Sequence, residues 1–243
     1  MKRLINLKTT CLLLLIVTTA CNTEECGYCS PGCNLLTDFE SEIIGSGNWQ
    51  PFQSTVNIET HSGSKRLHLV DGFLASSVFN EVDFPPNLLT AGCELSYDVE
   101  FYSGSVANLS TSSNSLNIYQ GAFNSFTSRA IFVLNPANEI ISLAAPKTIK
   151  IPLALATGTS LPSNSFGAWF LAGGSSPSTP ADIANFNALI QNIDGISFFI
   201  DSGDNISEEW WYDNFCFTQC CPQWFLKGNI VWGHKPSTKV FVG

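Results

Sequence analysis

Short apolar runs recur along this chain, separated by Gly, Ser, Pro or Asn, which is the spacing of a two-sheet sandwich. The pattern predicts strands at Leu35–Glu40, Val56–Thr60, Arg66–Val70, Ser76–Val82, Glu94–Phe101, Ser115–Ala122 and Arg129–Leu134. Further strands are predicted at Lys147–Leu153, Phe166–Leu171, Gly195–Ile200 and Trp210–Phe217. Between Glu94 and Phe101 the alternation is strict: Leu95, Tyr97, Val99 and Phe101 point one way and polar groups the other. One segment has a helical period instead. Thr179 reads as an N-cap, Pro180 as the first helical residue and Asp182 as a first-turn acid. Ile183, Phe186, Ile190 and Ile193 then share a face until Asp194-Gly195 stops the pattern. No linker divides the chain before about residue 221, so one all-β domain with one short helix is expected.

Composition explains how such a domain stays wet. Hydrophobic residues make up 44% and aromatics 12%, enough for a sizeable core, while charged residues are only 13%, about half the usual ~25%. Polarity comes from 28 Ser and 20 Asn, residues of turns and solvated strand faces. Acids outnumber bases 20 to 11, a formal charge of −9. Nucleic acid, which calls for a basic face, is excluded as a partner.

The opening segment reads as an address. Lys2 and Arg3 precede the apolar run Cys11–Val17, which is too short for a bilayer, and Thr18-Thr19-Ala20 gives a small-residue exit. Val17-Thr18-Thr19-Ala20-Cys21 resembles a bacterial lipobox, with Thr18 where Leu or Val is usual. That resemblance implies lipidation of Cys21 and a membrane anchor. Asn22-Thr23-Glu24-Glu25 resembles the acidic tether of surface-directed lipoproteins, which implies an outer-membrane protein facing outwards. Lys2, Arg3 and Lys8 leave with residues 1–20, taking the charge from −9 to −12. The expected organisation is a signal peptide at 1–20, a Cys-rich tether at 21–33, the sandwich at 34–221 and an extension at 222–243.

Of the remaining cysteines, Cys26, Cys29 and Cys33 precede the first strand, and Cys216, Cys220 and Cys221 follow the last. A thiolate zinc site needs a Cys-x2-Cys knuckle at both ends and only one is present, so disulfides are favoured in an oxidising compartment. Should the terminal strands lie side by side, bonds between the clusters would staple the domain's ends. Cys93 stands apart and reads as a buried thiol.

Catalytic patterns are weak. Glu81-Val82-Asp83 begins like the two-carboxylate strand of β-glucanases, but Pro86 occupies the place of the second glutamate. The histidines His61, His68 and His234 are scattered, and no nucleophile elbow or phosphate loop is present. Asp201, Asp204, Glu208 and Glu209 lack the spacing of a calcium loop and read as a solvated stretch. Aromatics offer more, since sugar rings stack on them while amides and carboxylates take the hydroxyls. The ligand-binding candidates are Trp169, Phe166, Trp210, Trp211 and Tyr119, with Trp49 and Tyr102 also near loops. Trp210 and Trp211 are adjacent on one strand, so one of them should face outwards.

Three patterns then combine: Leu36-Thr37-Asp38-Phe39-Glu40 with Trp49, His61-Ser62-Gly63-Ser64-Lys65-Arg66-Leu67-His68-Leu69, and Trp211-Tyr212-Asp213-Asn214-Phe215-Cys216-Phe217. With Leu89-Thr90-Ala91-Gly92 before the Glu94 strand, they resemble the galactose-binding-like jelly rolls found among carbohydrate-binding modules, over residues 34 to 217. The resemblance implies a jelly-roll β-sandwich, a glycan or surface polysaccharide as partner, and a structural Ca2+. The ion would be held by Glu40, Asp213 and backbone carbonyls of the turn from Ser62 to Lys65. Beyond Cys221, Trp224–Gly233 resembles the start of a repeat in large surface and tail-fibre-like proteins. The expected function is a non-catalytic surface lipoprotein that binds carbohydrate, within an adhesin in one version. The rivals are a structural or protein-interaction module and, third, a glycoside hydrolase.

Overall fold

The strict alternation of β6 (Glu94–Ser103) shows how the sandwich is built in this computed structural model, which describes residues 32–41, 47–72, 76–104, 115–135, 146–200 and 207–219. Leu95, Tyr97, Val99 and Phe101 are all at most 1% exposed, and the residues between them face outwards. Burying each such side chain stabilises the fold by about 1.5–3 kcal/mol before entropy is counted.

The neighbouring strands of that sheet are β1 (Cys33–Thr37), β3 (Ser54–His61), β4 (Ser64–Asp71), β9 (Lys147–Pro152) and β12 (Glu209–Thr218). Their order is β3-β4-β12-β6-β9, with β1 also paired to β12. β12 therefore runs through the middle: its first half pairs with β4 and its second half with β1, while β6 lies along its other side. A bulge between Asp213 and Cys216, with Asn214 at φ 51°, separates the halves and brings Phe215 to the inside beside Tyr212.

The second sheet contains β2 (Gln50–Phe52), β5 (Ser77–Asn80), β7 (Leu116–Gln120), β8 (Ser128–Leu134), β10 (Gly167–Leu171) and β11 (Gly195–Phe199), in the order β10-β8-β7-β11-β5-β2. All pairings in both sheets are antiparallel. The architecture is the all-β, jelly-roll-type sandwich expected from the sequence. Inner faces meet in an aromatic core in which Trp49 packs on Phe84, Phe198 and Phe215 at centroid distances of 5.5–6.0 Å. The chain divides into two units, and the described residues belong to the one spanning Pro31–Gln219.

Each predicted strand is present, with ends shifted by a few residues. β2 is an addition: it is three residues long, contains Pro51 and sits at the sheet edge, where a missing N–H is tolerated. A single helical turn, α1 (Leu88–Ala91), is also added, capped by the Asn87 side chain on the Leu89 N–H. The predicted helix is α2 (Pro180–Ile190). Thr179 and Asp182 form a reciprocal capping box, and those hydrogen bonds, from the Thr179 backbone first, hold the Asp182 carboxyl below its usual range. Phe186, Leu189 and Ile190 are buried, Phe186 against Trp169. The helix ends at Ile190 rather than Asp194, with Gln191 as its C-cap.

Side-by-side pairing of β1 and β12 joins the two ends of the domain, and a Cys33–Cys216 disulfide links them across 183 residues of sequence, with Cα atoms 5.6 Å apart. Cys93 is also disulfide-bonded, which corrects the expectation of a lone thiol; its partner is not among the described residues. Cys21, Cys26, Cys29, Cys220, Cys221 and the extension at 222–243 lie outside the described residues.

Candidate functional site

The three segments expected to hold calcium meet at one corner of the first sheet. The β3–β4 hairpin turns through Ser62 and Gly63 at φ 52° and 90°, the left-handed pair that a two-residue type I′ turn demands. Just beyond it, the Lys65 N–H donates to Glu40 Oε1 at 3.0 Å. Asp213 is 7% exposed, and its Oδ1 accepts the Asn214 N–H at 2.8 Å. Burial pushes its carboxyl up to about 6; Asp98 and Glu40 add to the rise, while the Asn214 N–H and the Arg66 guanidinium oppose it. Arg66 Nε stands 3.5 Å from Asp213 Oδ2, and its NH1 is 3.1 Å from Glu100. Acids thus crowd around one guanidinium, a donor chemistry that suits a hard, oxygen-binding cation. Among the described residues no three His, Cys, Asp or Glu side chains stand together as a metal set. Backbone carbonyls, including those of Ser62 and Lys65, would have to complete one.

The aromatic candidates do not converge. Trp169 is 2% and Trp210 1% exposed, with their indole N–H groups donated to the carbonyls of Pro152 and Ile200. Both are core side chains with no face left for a sugar, which corrects their assignment as ligand contacts. Phe166 packs partly buried against the same core, and Trp49 lies within it. Trp211 is the outward member of its pair, as expected, yet only 5% exposed. The His61 and His68 rings stack on it at 4.2 and 3.9 Å, and the half-exposed Tyr102 meets it edge-on.

The outer face of the second sheet carries a groove of about 330 Å³. Its residues alternate with the core: Ser77 beside buried Val78, Asn117 between Leu116 and Ile118, Ser197 between Ile196 and Phe198. Register lines up Phe170, Ile131, Asn117, Ser197, Phe79 and Gln50 across all six strands. Ser77, Ser115, Asn117 and Ser197 form a floor of small polar groups, and Phe52, Phe123, Phe126 and Phe199 form the walls. Asn117 donates its amide to the Ser115 carbonyl at 3.2 Å. Among the described residues no hydrogen bond uses its Oδ1 or the hydroxyls of Ser77 and Ser197.

A turn of residues 121–127 builds one wall. Gly121 donates to Asp194 Oδ2 at 2.7 Å, and Phe123 N donates to Glu81 Oε1 at 3.2 Å. Phe123 then stacks on Phe79 at 4.2 Å and 3°, with Phe52 5.5 Å away. Beneath it Tyr119 lies over Gly195, where a Cβ would sit 2.5 Å from the phenol oxygen. The hydroxyl donates to Glu81 at 3.1 Å, and burial, then the Glu81 charge, pushes it far above the usual phenol range. Tyr119 therefore supports the wall through Phe126, 4.9 Å away, and is itself 0% exposed.

The carboxylates of the glucanase-like stretch hold loops. Glu81 anchors the turn of residues 121–127, and Asp83 accepts from Asn48 and Asn80, both at 2.6 Å. Among the described residues lining the groove none is acidic. Glu208 is fully buried and Glu209 is bonded to His68 and Ser103, so neither belongs to a solvated stretch. Asp201 and Asp204 lie outside the described residues.

An antiparallel sandwich with a polar-floored, aromatic-walled groove on one outer face is thus the kind of protein the chain forms. No protein-family model matches the sequence, and no curated protein matches it. Among solved structures it is similar to the family 11 carbohydrate-binding module of cellulase Lic26A-Cel5E of Clostridium thermocellum. That match has 16% identity and a TM-score of 0.46 over 78% of this chain and 96% of the other. It is also similar to a family 11 module from the same organism in complex with a β-1,3-1,4-mixed-linked tetrasaccharide, at 17% identity and a TM-score of 0.47 over 78% and 98% of the chains. An exo-β-agarase is similar at 14% identity and 0.49, over 77% of this chain and 25% of that one.

Proposed function

We propose that this chain is a non-catalytic carbohydrate-binding protein whose ligand lies in the groove on the outer face of the second sheet. One observation carries the reading: phenyl rings stand over a floor in which the side-chain oxygens of Ser77, Ser197 and Asn117 take no hydrogen bond within the described residues. Apolar sugar faces would stack on the wall rings, Phe123 and Phe52 among them, and ring hydroxyls would bond the floor. The absence of carboxylates among the described lining residues supports binding rather than hydrolysis, since glycosidases place two acids across the scissile bond. The test is a glycan array with and without chelator, probed with the wild type and with Phe123→Ala. Hits lost in the variant would support the groove. Hits retained by Phe123→Ala would reject the groove as the glycan site, and none by either protein would reject carbohydrate binding and favour a spacer or protein-interaction module.

Two further parts of the proposal rest on other residues. Calcium would sit against Glu40, Asp213 and the Ser62–Lys65 turn, sharing with Arg66 the neutralisation of that corner; it would tie three segments together and do no chemistry. Export as an outer-membrane lipoprotein, outward-facing and suited to adhesion, rests on the Cys21 motif. Mass spectrometry of the membrane fraction should find an acylated Cys21, and Cys21→Ala should release the protein.

A further inference from the structure

Arg129 lines the groove and is the only charged residue among the described residues that do so. It is also the only charged residue on the six strands of that sheet. All six ion pairs among the described residues lie on the other sheet, where Arg66 is held by Glu100 and Asp213. In a chain with nearly twice as many acids as bases, an arginine in a cavity with no carboxylate against it is conspicuous. Withdrawing a charge from water costs free energy unless a counter-charge or hydrogen bonds replace the lost solvation.

We infer that the groove takes a sugar ring bearing an anionic group, a carboxylate or a sulfate, with Arg129 as its counter-charge. The inference rests on the carbohydrate reading above and narrows it. Arg129 is also held ready. Its guanidinium lies 5.2 Å from the Phe126 ring centre, and Phe126 in turn packs on the Tyr119 that Glu81 fixes. A guanidinium resting on a ring keeps its N–H edges available, and that planar fork matches a carboxylate or sulfate in bidentate fashion. Spacing agrees as well. Arg129 is in register with Tyr119, two residues along from the Ile131–Asn117–Ser197 row, or about 6.6 Å of strand. That offset is roughly the reach from the hydroxyls of a ring bonded to the floor to an acidic substituent on the same ring. The overall negative charge opposes long-range attraction, but it is screened beyond about 8 Å at physiological salt and does not cancel a contact pair.

The test is affinity electrophoresis of the full chain in three gels, containing polygalacturonate, a sulfated galactan and neutral mixed-linkage β-glucan. The proteins are the wild type, Arg129→Gln, Arg129→Lys and Phe123→Ala, with melting temperatures as folding controls. Expected is retardation by one or both anionic polymers, weakened roughly tenfold in Arg129→Gln, partly restored in Arg129→Lys, and weakened by added salt. The carboxylate and sulfate gels identify the source of the anion. Retardation by neutral glucan alone, abolished in Phe123→Ala and unchanged in Arg129→Gln, would overturn the anion inference while leaving the groove standing. Indifference of every gel to Phe123→Ala would overturn both.

Discussion

The two outer faces of this sandwich use their polar residues in opposite ways. On the first sheet, charges find partners within the protein: His61 and Arg66 share Glu100, Arg66 also reaches Asp213, His68 bridges Glu59 and Glu209, and Lys150 meets Glu94. Its Trp211 is stacked on two histidines. On the second sheet, serines, two asparagines and phenylalanines line an open groove around Arg129, the one charged side chain among its described residues. A face whose charges are already paired gains little from a charged ligand, because each new pair replaces an old one, although the buried indole N–H of Trp211 has no hydrogen-bond partner among the described residues. A face with unsatisfied groups near its surface has something to exchange with a ligand. Indole rings were the obvious guides to a sugar site, yet the groove walls are built from phenylalanines, and two of the best tryptophan candidates belong to the core.

That contrast can be tested by separating stability from affinity. The largest effect is expected for Cys33→Ser with Cys216→Ser, which opens a link spanning 183 residues; the chain-entropy model puts this at about 4–5 kcal/mol. Denaturant melts should show the loss, and glycan affinity below the melting range should be unchanged. Trp211→Ala should cost about 3 kcal/mol, since it removes a buried aromatic from the histidine stack. It too should leave affinity unchanged, and a loss of binding without a loss of stability would move the site to the first sheet. Phe123→Ala should do the reverse, weakening retention about tenfold, or ~1.4 kcal/mol, with a smaller change in melting temperature. Glu209→Gln should cost under about 1 kcal/mol, as partly exposed ion pairs usually do.

A separate prediction concerns pH. Asp213 titrates near 6 in the folded protein against an ordinary 3.8, so between those values the folded state holds a proton that the unfolded state has released. Stability in chelator should therefore fall as pH rises through that window, and Asp213→Asn should flatten the slope. Calcium added at pH 7 should raise the melting temperature of the wild type and not that of Asp213→Asn.

Much of this was legible along the chain. Alternation in Glu94–Phe101 and its relatives located the strands, because a half-buried strand cannot hide its period of two. The capping pattern at Thr179-Pro180-Ala181-Asp182 located the helix start, because it is local chemistry. The three motif segments around Glu40, Lys65 and Asp213 share one corner, where the Lys65 N–H donates to Glu40 and Arg66 faces Asp213. The groove was not legible. Phe79 and Phe123 are 44 residues apart and stack only because Glu81 holds the turn, while Ser197 and Asn117 are ordinary residues until register sets them side by side. Which neighbour buries Trp211, and that Glu208 turns inwards, likewise depend on other strands.

By itself, then, the sequence determined the strand periods, the helix cap, the acidic charge balance and the cysteines able to close the domain, since these follow from local pattern and charge count. Only the tertiary structure decided which sheet face pairs its charges and which carries the groove. Hydrogen-bond and ion-pair satisfaction is a property of neighbours across strands, and neighbours are assigned by topology and register rather than by order along the chain.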